Sequence, residues 1–396
     1  MTPPAAALPP LLYVCTAAQG GIAAYAHAQT EALVALGVEV TLLTPPGFSP
    51  AARGVRHLPV LLAPPAARAA CPRWRVRLAT AWAILGNAQI VAEAIRRQRH
   101  RHVLLATYSE YLAPLWAWKL RALARSGVRF GAVAHDPVRD YVVGPLWWHR
   151  LSIAEGYSYL ERAYLHEPIS LDTGRPMPSL RVHELPHGPY ATPLAQRSPL
   201  DVRRSLKIPA EARLWLSFGH LRDGKNLPLV LEALRDVPDD WLLVAGSEAT
   251  AGQTTSDRYR ALAQELGVAD RCRWLVDYLS DELVSDLFQA ADAVLLTYSA
   301  RFRSASGVLN LAVHHRRPVL ASAGASALGS SVERFRLGLR LPPDDAGAIR
   351  EGMMRLFSPR PAPLWKRYEL SNSWAANAAV VARTLLADPD DRDACR

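Results

Sequence analysis

The chain has 396 residues, half of them hydrophobic and 21% charged, with a formal net charge of +10. That length asks for two domains, and the composition excludes a disordered or fibrous protein, leaving disorder only for the two ends. The positive charge invites nucleic acid, but no basic block interleaves with aromatics as a strand-tracking groove would, so phosphorylated ligands or an anionic surface are the expected partners.

The apolar run Leu11-Leu12-Tyr13-Val14-Cys15 leads into Ala17-Ala18-Gln19-Gly20-Gly21, after which Tyr25, Ala28, Ala32, Leu33 and Leu36 recur at helical spacing. Gly37 then stands where a helix C-cap would, and Val38–Leu43 supplies the next strand. The opening is therefore βαβ and the sheet parallel. The same alternation continues through His102–Ala106 and Arg129–Ala134 and closes near Leu185-Pro186-His187-Gly188-Pro189. Tyr190 to Leu200 is proline-rich and polar, as a linker is. Beyond it the alternation restarts, with strands at Leu214–Phe218, Trp241–Ala245, Arg273–Val276, Ala293–Leu296 and Pro318–Ala321. Helices are expected at Leu227–Arg235, Tyr259–Leu266, Ser280–Ala290 and Gly307–His314, and Trp365–Leu386 reads as a terminal helix. The expected fold class is α/β, with two facing doubly wound Rossmann-like domains and ligands at the carboxyl ends of their strands. The boundaries are 1–189 for the first domain, 190–202 for the linker, 203–362 for the second domain, 363–386 for the terminal helix and 387–396 for a polar tail.

Leu216-Ser217-Phe218-Gly219-His220-Leu221-Arg222-Asp223-Gly224-Lys225-Asn226 ends a strand in a basic turn and then opens a helix, an arrangement suited to holding a phosphate or diphosphate. An ordinary solvated turn would use similar letters. The lysine is informative because arginine is used almost everywhere else, the other lysines being Lys119, Lys207 and Lys366. A compact ammonium on a long stem suits a constrained pocket better than a planar guanidinium.

Cys15, Cys71, Cys272 and Cys395 are scattered, without C-x-x-C pairs or histidines at ligand spacing, so no disulfide framework and no metal site is expected and a reducing cytoplasm fits. The N-terminus lacks the charged segment of a secretory signal. Ala79–Ile95, the most apolar long stretch, carries Asn87, Gln89 and Glu93 and falls short of a bilayer, so the protein is expected to be soluble or peripheral.

These pieces resemble nucleotide-sugar glycosyltransferases of the GT-B fold, particularly the family 4 group of bacterial polysaccharide and glycolipid enzymes. The resemblance is carried by Gly20-Gly21-Ile22-Ala23-Ala24-Tyr25, Phe218–Arg222 with Lys225-Asn226, Ala291–Leu296, and Ser306-Gly307-Val308-Leu309 through Ser322. It implies a donor site in which Arg222 and Lys225 hold the diphosphate and stabilise the charge that bond breaking creates, with Gly219 admitting the backbone close to the phosphates. Ser306, Gly307 and Val308 would offer helix N–H groups to the same anion, although a capping serine explains Ser306 equally well. Val276 and Tyr278 would lie along the nucleobase, where a loop with Ser280 as N-cap predicts the same letters. Gly20 and Gly21 complete the set. His135 would approach the donor sugar, and Asp136 is the general base if the reaction inverts the anomeric centre; an Asp-Pro turn is the plain alternative for both. His187-Gly188 resembles the hinge, and the terminal helix would return to the first domain through Trp374.

The family's two glutamates, eight residues apart before the Pro-Val strand, fall here on Arg303 and Leu311, and no glutamate occurs between Ala291 and Ser331. Arg303 and Arg301 would then favour an acidic sugar or extra phosphate contacts, and Asn310 is the neighbouring candidate for the ribose. No cofactor is expected; the partners are a nucleotide-sugar donor and a saccharide or lipid-linked saccharide acceptor, with no nucleic acid. Arg73, Arg75 and Arg77, together with Trp147-Trp148-His149-Arg150, suggest peripheral contact with an anionic membrane at its inner face; the same residues suit a core helix and cleft-lining aromatics. The alternatives are a catalytically silent GT-B subunit that partners another transferase, and a sugar-nucleotide epimerase or phosphorylase on the same fold. A metal-dependent enzyme would need an Asp-x-Asp at a strand end, and the clear cases, Asp388-Pro389-Asp390 and Asp391-Arg392-Asp393, lie in the tail.

Overall fold

A computed structural model describes the chain except residues 1–7, 50, 64–72, 108–109, 136–141, 143, 167–169, 191, 249–252, 303–305, 325, 360–361 and 388–396. The chain divides into two compact units, one of Met1–Gly188 with Ser373–Arg396 and one of Pro189–Asn372.

In the first unit, β1 (Leu11–Val14), β2 (Val40–Leu43), β3 (Arg56–Leu58), β4 (His102–Leu105), β5 (Arg129–Ala134), β6 (Arg162–Leu165) and β7 (Arg181–Glu184) form one sheet of order β3-β2-β1-β4-β5-β6-β7. Every pairing is parallel, as strands joined by crossover helices must be. The helices are α1 (Gly21–Ala35), α2 (Arg73–Gln98), α3 (Ala113–Arg125) and α4 (Leu146–Tyr157). The central strands β1 and β2 are wholly buried, whereas the edge strand β7 is almost wholly exposed. β3, β6 and β7 go beyond the strands expected from sequence, because a three-residue edge piece and two strands that begin with arginine lack the apolar run that marks the others.

α2 is longer than the apolar stretch suggested, and its Trp74–Gln98 segment is long and apolar enough to cross a bilayer. Its inner face, however, packs Ala88, Val91, Ala92 and Ile95 into one core with Trp116 and Leu120 of α3. Asn87 exchanges two hydrogen bonds with the Leu62 backbone. A helix removed into lipid would forfeit both sets of contacts.

The second unit holds β8 (Arg213–Phe218), β9 (Asp240–Gly246), β10 (Cys272–Val276), β11 (Ala293–Thr297), β12 (Val319–Ser322) and β13 (Gly338–Leu341), again all parallel, in the order β10-β9-β8-β11-β12-β13. Around them lie α5 (Pro199–Ser205), α6 (Leu227–Leu234), α7 (Ser256–Glu265), α8 (Asp281–Ala290), α9 (Gly307–His314), α10 (Ala327–Arg334), α11 (Ala346–Arg355) and α12 (Trp365–Ser371). Both faces of the sheet are apolar: Leu214, Leu216, Val294 and Leu296 enter one core, and Trp215, Leu242, Val244 and Leu295 the other.

The terminal helix is not continuous. It breaks after α12, and Ser373 caps a new helix, α13 (Trp374–Val381), by accepting from the Ala376 amide at 3.0 Å. α13 packs on α1 within the first unit through a buried polar network. Gln29 Nε2 donates to Asn377 Oδ1 at 2.6 Å, and Asn377 Nδ2 donates to Tyr25 Oη at 2.8 Å and to the Pro186 carbonyl at 2.7 Å. The Trp374 indole lies against Gly188, where an added Cβ would come within 2.5 Å of the ring. Gly188 is therefore held to glycine by close approach rather than by an unusual backbone angle.

Candidate functional site: a cationic turn at the end of β8

β8 ends at Phe218, and Gly219 comes next with φ +95°, a conformation that favours glycine. The amide of Gly219 donates to the Ala245 carbonyl at 2.9 Å, keeping the turn in register with β9. A Cβ on Gly219 would lie 3.3 Å from Lys225 Nζ and 3.8 Å from Val308 Cγ2. Glycine, lysine and the start of α9 thus meet at one point.

Arg222 is exposed, and Lys225 is half-buried with its ammonium donating to the Phe218 carbonyl. Burial, and then the Arg222 guanidinium, hold the Lys225 ammonium down at about 8. Asp223, the carboxylate within the turn, does not neutralise them. Its Oδ1 accepts from the Thr254 amide and from Tyr259 Oη, each at 3.0 Å, and these bonds keep its carboxyl below the usual range. The space beneath the turn is about 10 Å³, room for roughly one water, so a ligand would lie over the turn rather than under it.

The turn is clamped by the end of the neighbouring strand β11 and by the segments that follow β11 and β13. The Ser299 amide donates to the Gly224 carbonyl at 2.8 Å, and Thr297 Oγ1 donates to the Lys225 carbonyl at 3.0 Å. Asp344 then accepts from Asn226 Nδ2 at 2.8 Å through one oxygen and from the Ala300 amide at 2.9 Å through the other. Sequence reasoning missed Asp344, Thr297 and Ser299. The only signal for Asp344 is a polar pair after two prolines, which reads as a turn.

Ser306 occupies the N-cap position of α9 but makes no side-chain cap; its hydroxyl instead pairs with Tyr298 Oη at 3.0 Å, and Tyr298 stacks on Phe302 at 3.9 Å. Among the described residues the first amides of α9 carry no side-chain cap, an arrangement suited to an anion. Val276 lies beside Gly246 at the carboxyl edge of β10, and Tyr278 just beyond it is 90% exposed, its ring uncovered. Asn310 is already engaged, its Oδ1 accepting from Tyr368 Oη at 2.7 Å. Leu311 is half-buried. Arg303 lies outside the described residues.

The remaining candidates belong to the first unit. Gly20, with φ +83°, is the N-cap of α1, and neither Gly20 nor Gly21 has an atom within 4 Å of an added Cβ. His135 comes directly after β5, with its ring against Tyr25 at 4.6 Å. It belongs to a chain of contacts, Nε2 to the Ala106 carbonyl at 2.9 Å and Nδ1 to His166 Nε2 at 3.2 Å, while His166 Nδ1 meets the Leu185 carbonyl at 2.9 Å. Carbonyls only accept, so three full hydrogen bonds need three protons where two neutral rings bring two. Burial, with His187 and His135 adding to it, drives His166 down to about 3, so near neutral pH His166 brings a single proton to this chain. Asp136 lies outside the described residues. Among the described residues no cluster of three or more His, Cys, Asp or Glu side chains could hold a metal ion.

Residues 200–379 match the family described as glycosyl transferases group 1. The match spans most of the second unit and runs on into α13. The chain is 32% identical over 117 residues to a D-inositol 3-phosphate glycosyltransferase of Corynebacterium diphtheriae, covering 28% of this chain and 27% of the relative. It is 25% identical over 173 residues to one of Corynebacterium urealyticum, covering 42% and 40%. The matches thus span between about a quarter and two-fifths of these relatives' length. Solved structures extend the likeness to the whole fold. A sucrose-phosphate synthase of Thermosynechococcus elongatus superposes with a TM-score of 0.64 at 16% identity, covering 94% of this chain and 98% of the other. WaaG, a glycosyltransferase involved in lipopolysaccharide biosynthesis, superposes at 0.56 and 17%, covering 96% and 98%. HepE of Anabaena, crystallised with UDP and glucose, superposes at 0.61 and 13%, covering 95% and 98%. Both units are Rossmann-like, as in the GT-B fold of these neighbours.

Proposed function

We propose that the protein is a metal-independent glycosyltransferase that moves a sugar from a GDP- or UDP-linked donor to a saccharide acceptor carried on a lipid. The observation that carries this reading is the pair Arg222 and Lys225 at the carboxyl end of β8, two cations of which the first lowers the second, while the carboxylate between them, Asp223, is engaged by the Thr254 amide and Tyr259 Oη. A diphosphate over the turn would supply the missing charge. As the bond between the anomeric carbon and the phosphate oxygen breaks, further negative charge develops on that oxygen, and donors already fixed in place need no reorganisation to meet it. Uncapped amides at the start of α9 add to the same field, and Tyr278 offers a free face to the base. HepE was crystallised with UDP, which favours a uridine donor.

In the first unit, both nitrogens of His135 are engaged, so it would meet the sugar as an oriented ring rather than as a free base. Deprotonation of the acceptor, if the reaction inverts, would fall to Asp136. The lipid-linked acceptor draws support from α2, α3 and α4, which expose Trp82, Trp118 and Trp147, with Arg75 over the Trp74 ring at 5.3 Å and Lys119 over Trp118 at 5.6 Å. Exposed indoles accompanied by cations suit an anionic headgroup layer, at the inner face of the cell membrane.

The test is the thermal shift of the protein with GDP, UDP, ADP, dTDP and their sugar conjugates. One nucleotide should stabilise the wild type and not Lys225→Ala. Equal shifts in both proteins would remove the turn from the donor site, and no shift with any nucleotide would favour a silent partner subunit.

A further inference from the structure

The second unit has another cationic hollow at the opposite end of its sheet. A cavity of about 550 Å³ opens where β8, β11 and β12 begin, lined by four arginines, Arg203, Arg213, Arg316 and Arg317, against the carboxylates Glu211 and Asp292. Phe357, Trp365, Pro318 and Pro363 supply apolar walls. β8 spans six residues, so this hollow lies roughly 17 Å along the strand from the turn at Phe218.

Three of the arginines have their own partners. Arg203 spends its donors on the carbonyls of Ala290, Ala210 and Ala212 and on Asp292 Oδ2, at 2.7 to 3.0 Å. Arg316 grips both oxygens of Glu369 at 2.9 and 3.0 Å, with its guanidinium 5.9 Å from the Trp365 ring centre. Arg213 is tied loosely, 3.4 Å from Asp240, 3.5 Å from the Met353 carbonyl and 5.0 Å from the Phe357 ring centre. Arg317 differs from all of them. Among the described residues its guanidinium has no hydrogen bond or ion pair, and its Nε is sealed from water without an acceptor. Arginines buried for structural reasons elsewhere in this unit saturate on carbonyls, as Arg271 does on those of Val237, Asp240 and Leu234. Leaving a charged donor unsatisfied is costly, and burial lowers the pKa of Arg317.

We propose that this hollow is a second anion site, which binds a phosphate monoester through Arg317 and Arg213 with the body of the ligand against Trp365 and Phe357. The open guanidinium of Arg317 and the loosely held one of Arg213 match the oxygens of a phosphate, and the volume suits a small phosphorylated molecule. The ester could be a free metabolite or a phosphorylated lipid headgroup, since both present the same dianion.

Calorimetric titration of the full chain carrying Lys225→Ala removes the contribution of the donor turn. Inorganic phosphate and soluble phosphate monoesters should bind at one saturable site, weakened at least tenfold by Arg317→Gln and severalfold by Arg213→Gln. Arg355→Gln, at an exposed pair with Glu351, should leave the affinity unchanged. Unchanged binding in both Arg317→Gln and Arg213→Gln would overturn the proposal, as would an equal loss in Arg355→Gln, which would mark diffuse attraction to a basic protein. Should Arg317→Gln fail to fold, Arg213→Gln and Arg317→Lys carry the test. Phosphatidylcholine vesicles with and without phosphatidic acid separate the sources: sedimentation that depends on Arg317 assigns a headgroup, and binding to soluble esters alone assigns a metabolite. The donor reading stands or falls separately, on a nucleotide shift that depends on Lys225 and not on Arg317.

Discussion

Each unit begins its sheet the same way, with a buried central strand that ends in a turn containing a positive-φ glycine, Gly20 after β1 and Gly219 after β8. The two turns differ in their charge and their support. The first has no charged side chain between Ala17 and Tyr25 and open space around its glycines. The second carries Arg222 and Lys225 and is clamped by Ser299, Thr297 and Asp344. The backbone of a Rossmann turn comes with the fold, whereas affinity for an anion comes from cations that the rest of the unit refuses to neutralise and holds still.

The sharpest way to break that contrast is Lys225→Ala. Donors placed at a developing anion are worth about 2.7 to 4 kcal/mol, so turnover should fall roughly a hundredfold or more while the fold survives. Steady-state kinetics with circular dichroism would check it, and an active variant would reduce the second turn to the status of the first.

Gly219→Ala comes next. A side chain at φ +95° costs about 1–3 kcal/mol, and its Cβ would press on Lys225 Nζ from 3.3 Å. Denaturant melts should show that loss together with a weaker nucleotide shift. Asp344→Ala should act more mildly, releasing Asn226 and the Ala300 amide at a cost of about 1–3 kcal/mol and raising the KM for the donor more than it lowers kcat. Asp344→Asn, which tolerates φ +59° and keeps an acceptor oxygen, should recover most of the affinity.

How far the sequence could be read obeys the same division. β5 and α9 were legible to the residue, because an apolar run and a helical period are local signals. The basic turn was legible because lysine stood out against an arginine-rich background. The clamp was not, since Asp344 lies more than a hundred residues from Asn226 and meets it only when β13 closes the sheet. β6 stayed hidden because it opens on Arg162, buried only by virtue of its bonds to the Thr384 carbonyl and to Glu161. The break before Ser373 was invisible for another reason: Asn372 and Ser373 interrupt a sequence whose flanks are both helical in pattern, and only the partition of α12 and α13 between the two units explains a cap there.

The two units also part in their response to pH. His166 in the first is held near 3, below its ordinary 6.5, so the unfolded chain binds more protons between those values and stability should fall as pH drops below about 6.5. Lys225 in the second is held near 8 against 10.5, so the same logic makes stability rise from pH 8 upward, while nucleotide affinity, which needs the ammonium, should fall over that range. Melts and nucleotide titrations of the wild type, His166→Asn and Lys225→Ala across pH 5 to 10 would separate the two. Each substitution should flatten only its own limb.

The smallest expected effect belongs to the uncharged turn. Gly21 is the first residue of α1, with no atom within 4 Å of an added Cβ, so Gly21→Ala should leave thermal stability unchanged or raise it by about 0.5–1 kcal/mol, alanine being the better helix former. Open space beside a glycine can be unused or can be the place of a substrate, and stability does not distinguish them. Kinetics does, because a methyl group in a substrate's path raises KM severalfold without touching the fold. That rise is the outcome expected if the first turn, lacking charge, serves by shape. Unaltered kinetics would mean that it serves only to begin the helix.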